Sequence, residues 1–194
     1  MKDIWNRFEF AIEMEKLKSV KRMNGTLDGR LENSAEHSWH AALLADVFKD
    51  YYPAELDINK VVFMLLLHDV GEIYAGDTFL YDEEGKADLF IRESNSFSKS
   101  LEMLPRGIKE KYTNLWIEFE KEQTHEASYA RIIDAIVPLI NHLVTAEENY
   151  NPSQLTKSQV IAKKKFIGEH APVLWGFAEE VIDKSVKRGL YKNS

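Results

Sequence analysis

The chain has no cysteine among its 194 residues. That absence excludes disulfides, thiolate metal sites and cysteine nucleophiles together. Any metal must be held by imidazole and carboxylate. No apolar run approaches a membrane span, and the start, Met1-Lys2-Asp3-Ile4-Trp5, lacks the apolar stretch of a signal peptide. A cytoplasmic protein without membrane contact is expected. Basic blocks are missing too. Lys+Arg 25 stand against Asp+Glu 32, a net charge of -7, so nucleic acid is not the expected partner. A phosphate ligand would need local cations or a metal. With no internal repeat, low-complexity tract or Pro/Gly-rich linker, residues 1–194 are expected to form a single domain.

What is present is an ordinary globular composition, 44% apolar and 29% charged, in a chain long enough for a real core. Almost every segment has helical period, and no alternating run of strand length stands out. Residues 3–17 put Ile4, Trp5, Phe8, Ala11, Ile12 and Glu15 on one stripe of an amphipathic helix. Lys18 to Gly25 is a basic segment ending in a turn. It reads either as a solvated connection or, through the fork of Arg22, as a phosphate-binding edge. Asn33 or Ser34 can cap a following helix, Asn33 approximating a capping box with Glu36. That helix carries Trp39, Leu43, Leu44, Val47 and Phe48 to about Pro53, with His37, His40, Leu44 and Val47 on its apolar face.

The apolar run Val61 to Leu67 predicts a helix buried on nearly all sides, starting at Asp57 or Asn59 and ended by Gly76. It delivers His68, Asp69, Glu72 and Asp77 within ten residues. Burying charges is costly unless they are paired or bound to a metal. Residues 79–86 are acidic and turn-like, a surface loop or a flap over a site. Phe90, Phe97, Leu101 and Leu104 mark a helix stopping near Pro105, and Ile108, Tyr112, Leu115, Trp116 and Phe119 mark another. Thr124 caps the next, whose stripe is Ala130, Ile133, Val137, Ile140 and Val144. Asp134 sits in the middle of that stripe, where an aspartate is rarely unpaired. Pro138 lacks the N–H that would bond the Asp134 carbonyl, so a bend or opening is expected there. A structural N–H or Arg partner is the plain account of Asp134; a metal is the favoured one. Residues 156–189 read as two helices divided near Gly168, with Pro172 in the second's first turn and Leu174, Phe177, Val181 and Ile182 buried. No chemistry is assigned to this tail, and His125, His142 and His170 show no partner pattern.

Three helices thus send His37, His68, Asp69 and Asp134 toward one interior point. Two imidazoles and two carboxylates suit one divalent ion and leave positions for water. Such an ion lowers the pKa of its water. Glu72 is the natural general acid or base, and Asp77 is placed to orient water or a leaving hydroxyl. A structural helical protein with a hydrogen-bonded polar core is the bland alternative.

The ordered set His37 … His68-Asp69 … Asp134 resembles the H…HD…D signature of the HD-domain metal-dependent phosphohydrolase superfamily. Glu32-Asn33-Ser34-Ala35-Glu36-His37-Ser38, His68-Asp69-Val70-Gly71-Glu72 and Gly76-Asp77-Thr78 resemble its 5′-deoxynucleotidase branch, which dephosphorylates deoxyribonucleoside 5′-monophosphates. The resemblance runs from Phe8 to Thr145 and more weakly to Gly189-Leu190-Tyr191. It implies an all-α helical bundle with the metal site in the interior, a core at about 30–145 and helices 156–189 packed on it, often as a homodimer. It implies His37, His68, Asp69 and Asp134 as ligands of one divalent ion, Co or Mn first, with Fe, Ni, Zn or Mg as alternatives. Glu72 and Asp77 would be the catalytic acids, Arg22 the phosphate-binding arginine, and Met23 and Glu118 would border the sugar of a nucleoside monophosphate. Met23 stands where resembling nucleotidases carry an aromatic residue, which leaves ribose against deoxyribose open. Two rivals are a guanosine tetraphosphate hydrolase, which carries Glu-Asp where this chain has Glu72-Ile73, and an HD-type regulator or nucleotide sensor with little turnover.

Overall fold

The computed structural model describes residues 2–193. Helix α1 (Lys2–Glu15) runs through a 3-10 turn into a hairpin of β1 (Lys21–Gly25) and β2 (Leu31–Asn33). Then follow α2 (Ser34–Phe48), α3 (Ile58–Leu67), a 3-10 turn at His68–Gly71, and the single-turn α4 (Glu72–Ala75). After a looped stretch come α5 (Leu89–Ser100), α6 (Arg106–Lys121) and α7 (His125–Thr145). The chain closes with α8 (Lys157–Lys164), α9 (Phe166–His170) and α10 (Pro172–Lys187). This is the expected all-α fold. The two-stranded sheet is the departure from it. Its strands pair antiparallel, Lys21 opposite Asn33 and Gly25 opposite Leu31 with a bulge between, which is too short and irregular for alternation to register. Among the described residues, no helix is long and apolar enough to cross a membrane.

Local chemistry sets the helix starts. The Asn33 side chain accepts from the Glu36 N–H at 3.0 Å while the Glu36 carboxylate accepts from the Asn33 N–H at 3.1 Å, a complete capping box for α2. Asp57 caps α3, accepting from the Lys60 N–H, and Thr124 caps α7, accepting from the Ala127 N–H. Helix α7 remains one continuous helix through Pro138, and the Pro138 carbonyl accepts a hydrogen bond from Asn24 of β1 at 3.3 Å.

Helix α3 lies between two apolar clusters. Val61, Met64 and Leu65 join Ala41 and Ala45 of α2, Ala130, Ile133 and Val137 of α7, and Leu174 and Ile182 of α10. Leu67, with Val70 beyond it, faces the other way, onto Leu17, Phe97, Leu101 and Trp116. Each fully buried side chain of this kind contributes about 1.5–3 kcal/mol, so the helix that carries His68 is pinned from both sides. Only Leu66 of the run is exposed.

Helix α2 packs differently from expectation. Its buried face is Ser34, His37, Ser38, Ala41, Ala42 and Ala45, all small except His37, which allows α3 and α7 to approach closely. The large Trp39, Leu43 and Val47 point to solvent, so Val47 does not share the inward face of His37. The α1 stripe is likewise outward: Ile4, Trp5, Phe8 and Ile12 are exposed, while Glu13 is buried. The tail forms three helices where two were expected. Gly168 lies inside α9, and the break before α10 falls at Ala171; Phe177 is 37% exposed, resting on Phe48 at the edge, and Ala178 is the fully buried residue beside it.

Candidate metal centre and its cleft

The unbroken apolar run of α3 ends in a change of helix type. The 3-10 turn at His68–Gly71 puts His68, Asp69, Val70 and Gly71 all in the interior. Trp116 of α6 locks that turn by donating its indole N–H to the His68 carbonyl at 3.1 Å, and it stacks on Phe97 at 5.0 Å. His68 Nδ1 lies 2.7 Å from the Leu65 carbonyl, which makes Nδ1 the protonated nitrogen. Nε2 then presents its lone pair inward, 3.0 Å from Asp69 Oδ1 and 3.4 Å from Asp134 Oδ1, with no hydrogen-bond partner among the described residues. A lone pair facing two carboxylate oxygens requires positive charge between them, a proton or a cation.

His37, in the first turn of α2, is wholly buried, and its Nε2 lies 2.9 Å from Asp134 Oδ1. Ligand atoms of His37, His68 and Asp69 all fall within 4.8 Å of one another. The four residues expected to converge therefore do so. Burial, with the Arg22 charge, pushes the His37 imidazole below its usual range, toward the neutral form that ligates metals. Burial raises the Asp134 carboxyl, but the hydrogen bond with His37 and the nearby His68 imidazole overcome this and hold it well below its ordinary value.

This cluster forms part of a cleft of about 1070 Å³ lined by His68, Asp69, Asp134, Arg22, Glu72 and Asp77, among others. Arg22 reaches in from β1. Its Nη1 is 3.0 Å from Asp69 Oδ2, 3.8 Å from Asp77 and 3.9 Å from Glu72, and its Nε is 3.4 Å from Glu32. Glu72 is buried and accepts a hydrogen bond from the Ser34 hydroxyl at 2.6 Å. Burial and the neighbouring Asp69 charge raise its pKa well above the carboxylate range. Asp77, just past the Gly76 turn, is raised by burial too. Met23 lines the cleft at 57% exposure.

Glu118 is a correction. It does not line the cleft; Lys60 and the Thr124 hydroxyl hold its carboxylate, each at 2.6 Å, against the start of α7. Glu120 and Glu122 of the same segment line the cleft instead. His40 stays outside the cluster, while His142 lines the cleft and packs on Tyr191 at 5.3 Å. The 79–86 stretch makes a wall: Phe79, Leu80, Tyr81 and Lys86 line the cleft, and Glu83 pairs with Lys163 of α8 at 2.5 Å.

Sequence reasoning passed over four residues here. Glu32 is buried beside His37, its Oε1 3.7 Å from His37 Nδ1, and burial lifts its carboxyl to about 7. Its other oxygen accepts from Asn141 at 2.8 Å. Its place five residues before His37 was a signal, but Glu32 was read only as the opening of the Glu32–Ser38 stretch and given no role of its own. Arg131, three residues before Asp134 on α7, sits 3.8 Å from that carboxylate and lies over the Phe119 ring; i,i+3 spacing was its signal. Glu120 lies in the Trp116–Glu122 segment expected to supply an acidic residue near the sugar, where Glu118 was preferred, and Lys164 carried no signal.

The sequence model of the family described as HD domain matches residues 14–175. The chain belongs to the HD-domain family. Among solved HD-type structures, a predicted metal-dependent phosphohydrolase from Magnetospirillum magnetotacticum MS-1 is 33% identical, covers 98% of this chain and 96% of its own, and superposes with a TM-score of 0.88. The 5′-deoxynucleotidase HDDC2 of Danio rerio is 23% identical over 186 residues, 94% of this chain and 89% of that protein. Human 5′-deoxynucleotidase HDDC2 is 25% identical over 126 residues, 65% of this chain, and the match spans 60% of that protein's length. His68-Asp69, the pair expected to carry the HD signature, is the one the 3-10 turn carries inward.

Proposed function

We propose that this HD-domain protein is a metal-dependent phosphomonoesterase that removes the 5′-phosphate of nucleoside monophosphates. The bare Nε2 of His68, facing Asp69 and Asp134 in the cleft, carries this reading. The donor set fits a divalent ion: two buried imidazoles and two carboxylates, with no sulfur. His37, His68, Asp69 and Asp134 hold it, with Co or Mn the first choices and Fe, Ni, Zn or Mg the alternatives. When bound, the ion supplies Lewis-acid activation of a water and neutralises charge on the phosphate.

The chain's own groups supply the rest. Arg22 meets the phosphate, since its guanidinium already lies against Asp69 and faces the cleft. Glu72, buried and oriented by Ser34, holds a proton next to the cluster, and Asp77 takes up the opposite role of orienting the attacking water or the leaving hydroxyl. Met23 borders the sugar as an exposed thioether side chain and excludes the 2′-hydroxyl weakly, so both ribo- and deoxyribonucleotides are accepted. The names of the HDDC2 relatives support the nucleotide class.

The reading includes a single functional domain, because α8 and the C-terminal Tyr191 line the same cleft as β1. It also includes a cytoplasmic location, a small nucleotide substrate in place of nucleic acid, and a homodimer, which the outward apolar faces of α1 and α2 support. The test is phosphate release from a panel of ribo- and deoxyribonucleoside monophosphates by protein stripped of metal and reloaded with Mn or Co. Release from several of them, and none from guanosine tetraphosphate, is expected. No release from any monophosphate would favour a ligand sensor.

A further inference from the structure

Six cations line the cleft: Arg22, Arg30, Lys86, Arg131, Lys163 and Lys164. Five are committed to partners within the protein. Arg22 is held by Asp69 and Glu32, Arg30 by Glu36 through two hydrogen bonds, and Arg131 by Glu122. Lys163 is paired with Glu83, and Lys86 donates to the Leu80 carbonyl. Lys164 alone makes no hydrogen bond or ion pair with any described residue. It is nevertheless the most deeply buried of the six, at 6% exposure. Its Nζ is not among the wholly enclosed unpartnered atoms, so the side chain is buried while the ammonium still touches solvent, short of the several kcal/mol that a fully desolvated, unpaired charge costs.

Placement explains how this arises. Lys163 and Lys164 end helix α8 and Lys165 follows as its C-cap, and a lysine run at a helix C-terminus is ordinarily a solvated one that suits the helix dipole. Here α8 is folded against the cleft, with Lys163 on the rim and Lys164 turned inward. Its ammonium lies in the field of Asp134, Arg131 and Arg22, so it belongs to the same electrostatic neighbourhood as the candidate metal centre. Burial depresses its pKa to about 8, which is what an unpaired buried amine does.

We propose that Lys164 is a phosphate-binding residue, the cation with which α8 grips the substrate's anionic oxygens in the cleft that β1 also lines. This deepens the nucleotidase reading and rests on it. Arg22 is already surrounded by carboxylates, so a doubly charged phosphate entering this acidic cleft gains most from a cation that gives up no partner to receive it. The C-terminal helices, which bear no motif, thereby supply a binding group to the site.

The experiment compares the Mn-loaded full chain with Lys164→Met and Lys164→Arg, reading metal content, orthophosphate affinity by calorimetry, and kcat and KM for deoxyadenosine monophosphate. Lys164→Met should keep its metal, lose about tenfold or more in orthophosphate affinity, and raise KM by a similar factor with a smaller change in kcat. Lys164→Arg should recover most of both. Unchanged orthophosphate affinity in Lys164→Met overturns the proposal. If Lys164→Met does not fold, the 13Cε resonance of Lys164 in the unmutated protein, assigned by its loss in Lys164→Arg, must move when orthophosphate is added; a resonance that stays put overturns it equally. Weakened orthophosphate binding in a protein that cleaves no monophosphate supports the Lys164 site and removes the nucleotidase reading instead.

Discussion

Arg22 shows how much one side chain holds in this site. Its guanidinium is the counter-charge for Asp69 and Glu32 and lies within 3.9 Å of Glu72 and 3.8 Å of Asp77. Removing one partner of a buried charge set costs about 3–5 kcal/mol, because the others are left uncompensated. Arg22→Ala is therefore expected to lower the melting temperature of the metal-free protein clearly and that of the Mn-loaded protein less, since the ion restores positive charge. Calorimetry on both forms checks this; an equal loss in both would mean that Arg22 is not coupled to the metal cluster. The same residue marks what was legible in the sequence. His37, His68, Asp69, Glu72, Asp77 and Asp134 meet at one place as their spacing on helices and turns implied, whereas Arg22, on a strand no pattern marked, was singled out only by the fork of its guanidinium and by family resemblance. Glu118 against Glu120 was not legible. Two residues apart on α6 they point in nearly opposite directions, and only the position of Lys60 and Thr124 decides which one is drawn away from the cleft. Lys164 was hidden for a related reason: a lysine's meaning depends on what its helix is packed against.

Secondary elements are where local rules and packing part company. The capping box of α2 and the caps of α3 and α7 were readable because they involve neighbours within three residues. The 3-10 turn at His68–Gly71 was not, since the locking contact comes from Trp116 on another helix. Gly76 ends that stretch with φ 77 and ψ 155, a region nearly closed to residues with a Cβ, although a Cβ there would meet no atom within 4 Å. Gly76→Ala should thus destabilise through the backbone alone, by about 1–3 kcal/mol. It should also lower kcat by displacing Asp77 while leaving metal content intact; loss of metal with no change in kcat per bound ion would show that the turn serves the ligands and not Asp77. Amphipathic pattern identified the apolar stripes of α1 and α2 but not what they touch. Trp39, Leu43 and Val47 are 62%, 52% and 60% exposed, a face suited to a second copy. Leu43→Glu with Val47→Glu is expected to convert a dimer to a monomer in sedimentation without loss of secondary structure. A wild-type protein that already sediments as a monomer would remove the homodimer.

Taken over the full chain, the fold is a device for bringing charge indoors. Helix α3 is clamped between two apolar clusters and delivers a His-Asp pair to a point where α2 and α7 contribute another imidazole and carboxylate. A hairpin from one end of the chain and α8 from the other bring cations to the same cleft. The helical class of the chain was legible from its period, but the hairpin, the extra tail helix and the cleft's far wall arise from contacts distant in sequence. An ion that binds only the folded state stabilises it by mass action, about 2.7 kcal/mol at a hundredfold excess over its Kd. The decisive measurement is metal content by elemental analysis, with the melting temperature before and after chelation, for wild type and Asp69→Ala. One divalent ion per chain in wild type, a lower melting temperature after chelation, and neither the ion nor the shift in Asp69→Ala are the expected results. An Asp69→Ala protein that keeps a full complement of metal and the same response to chelation would contradict a metal centre built on His37, His68, Asp69 and Asp134.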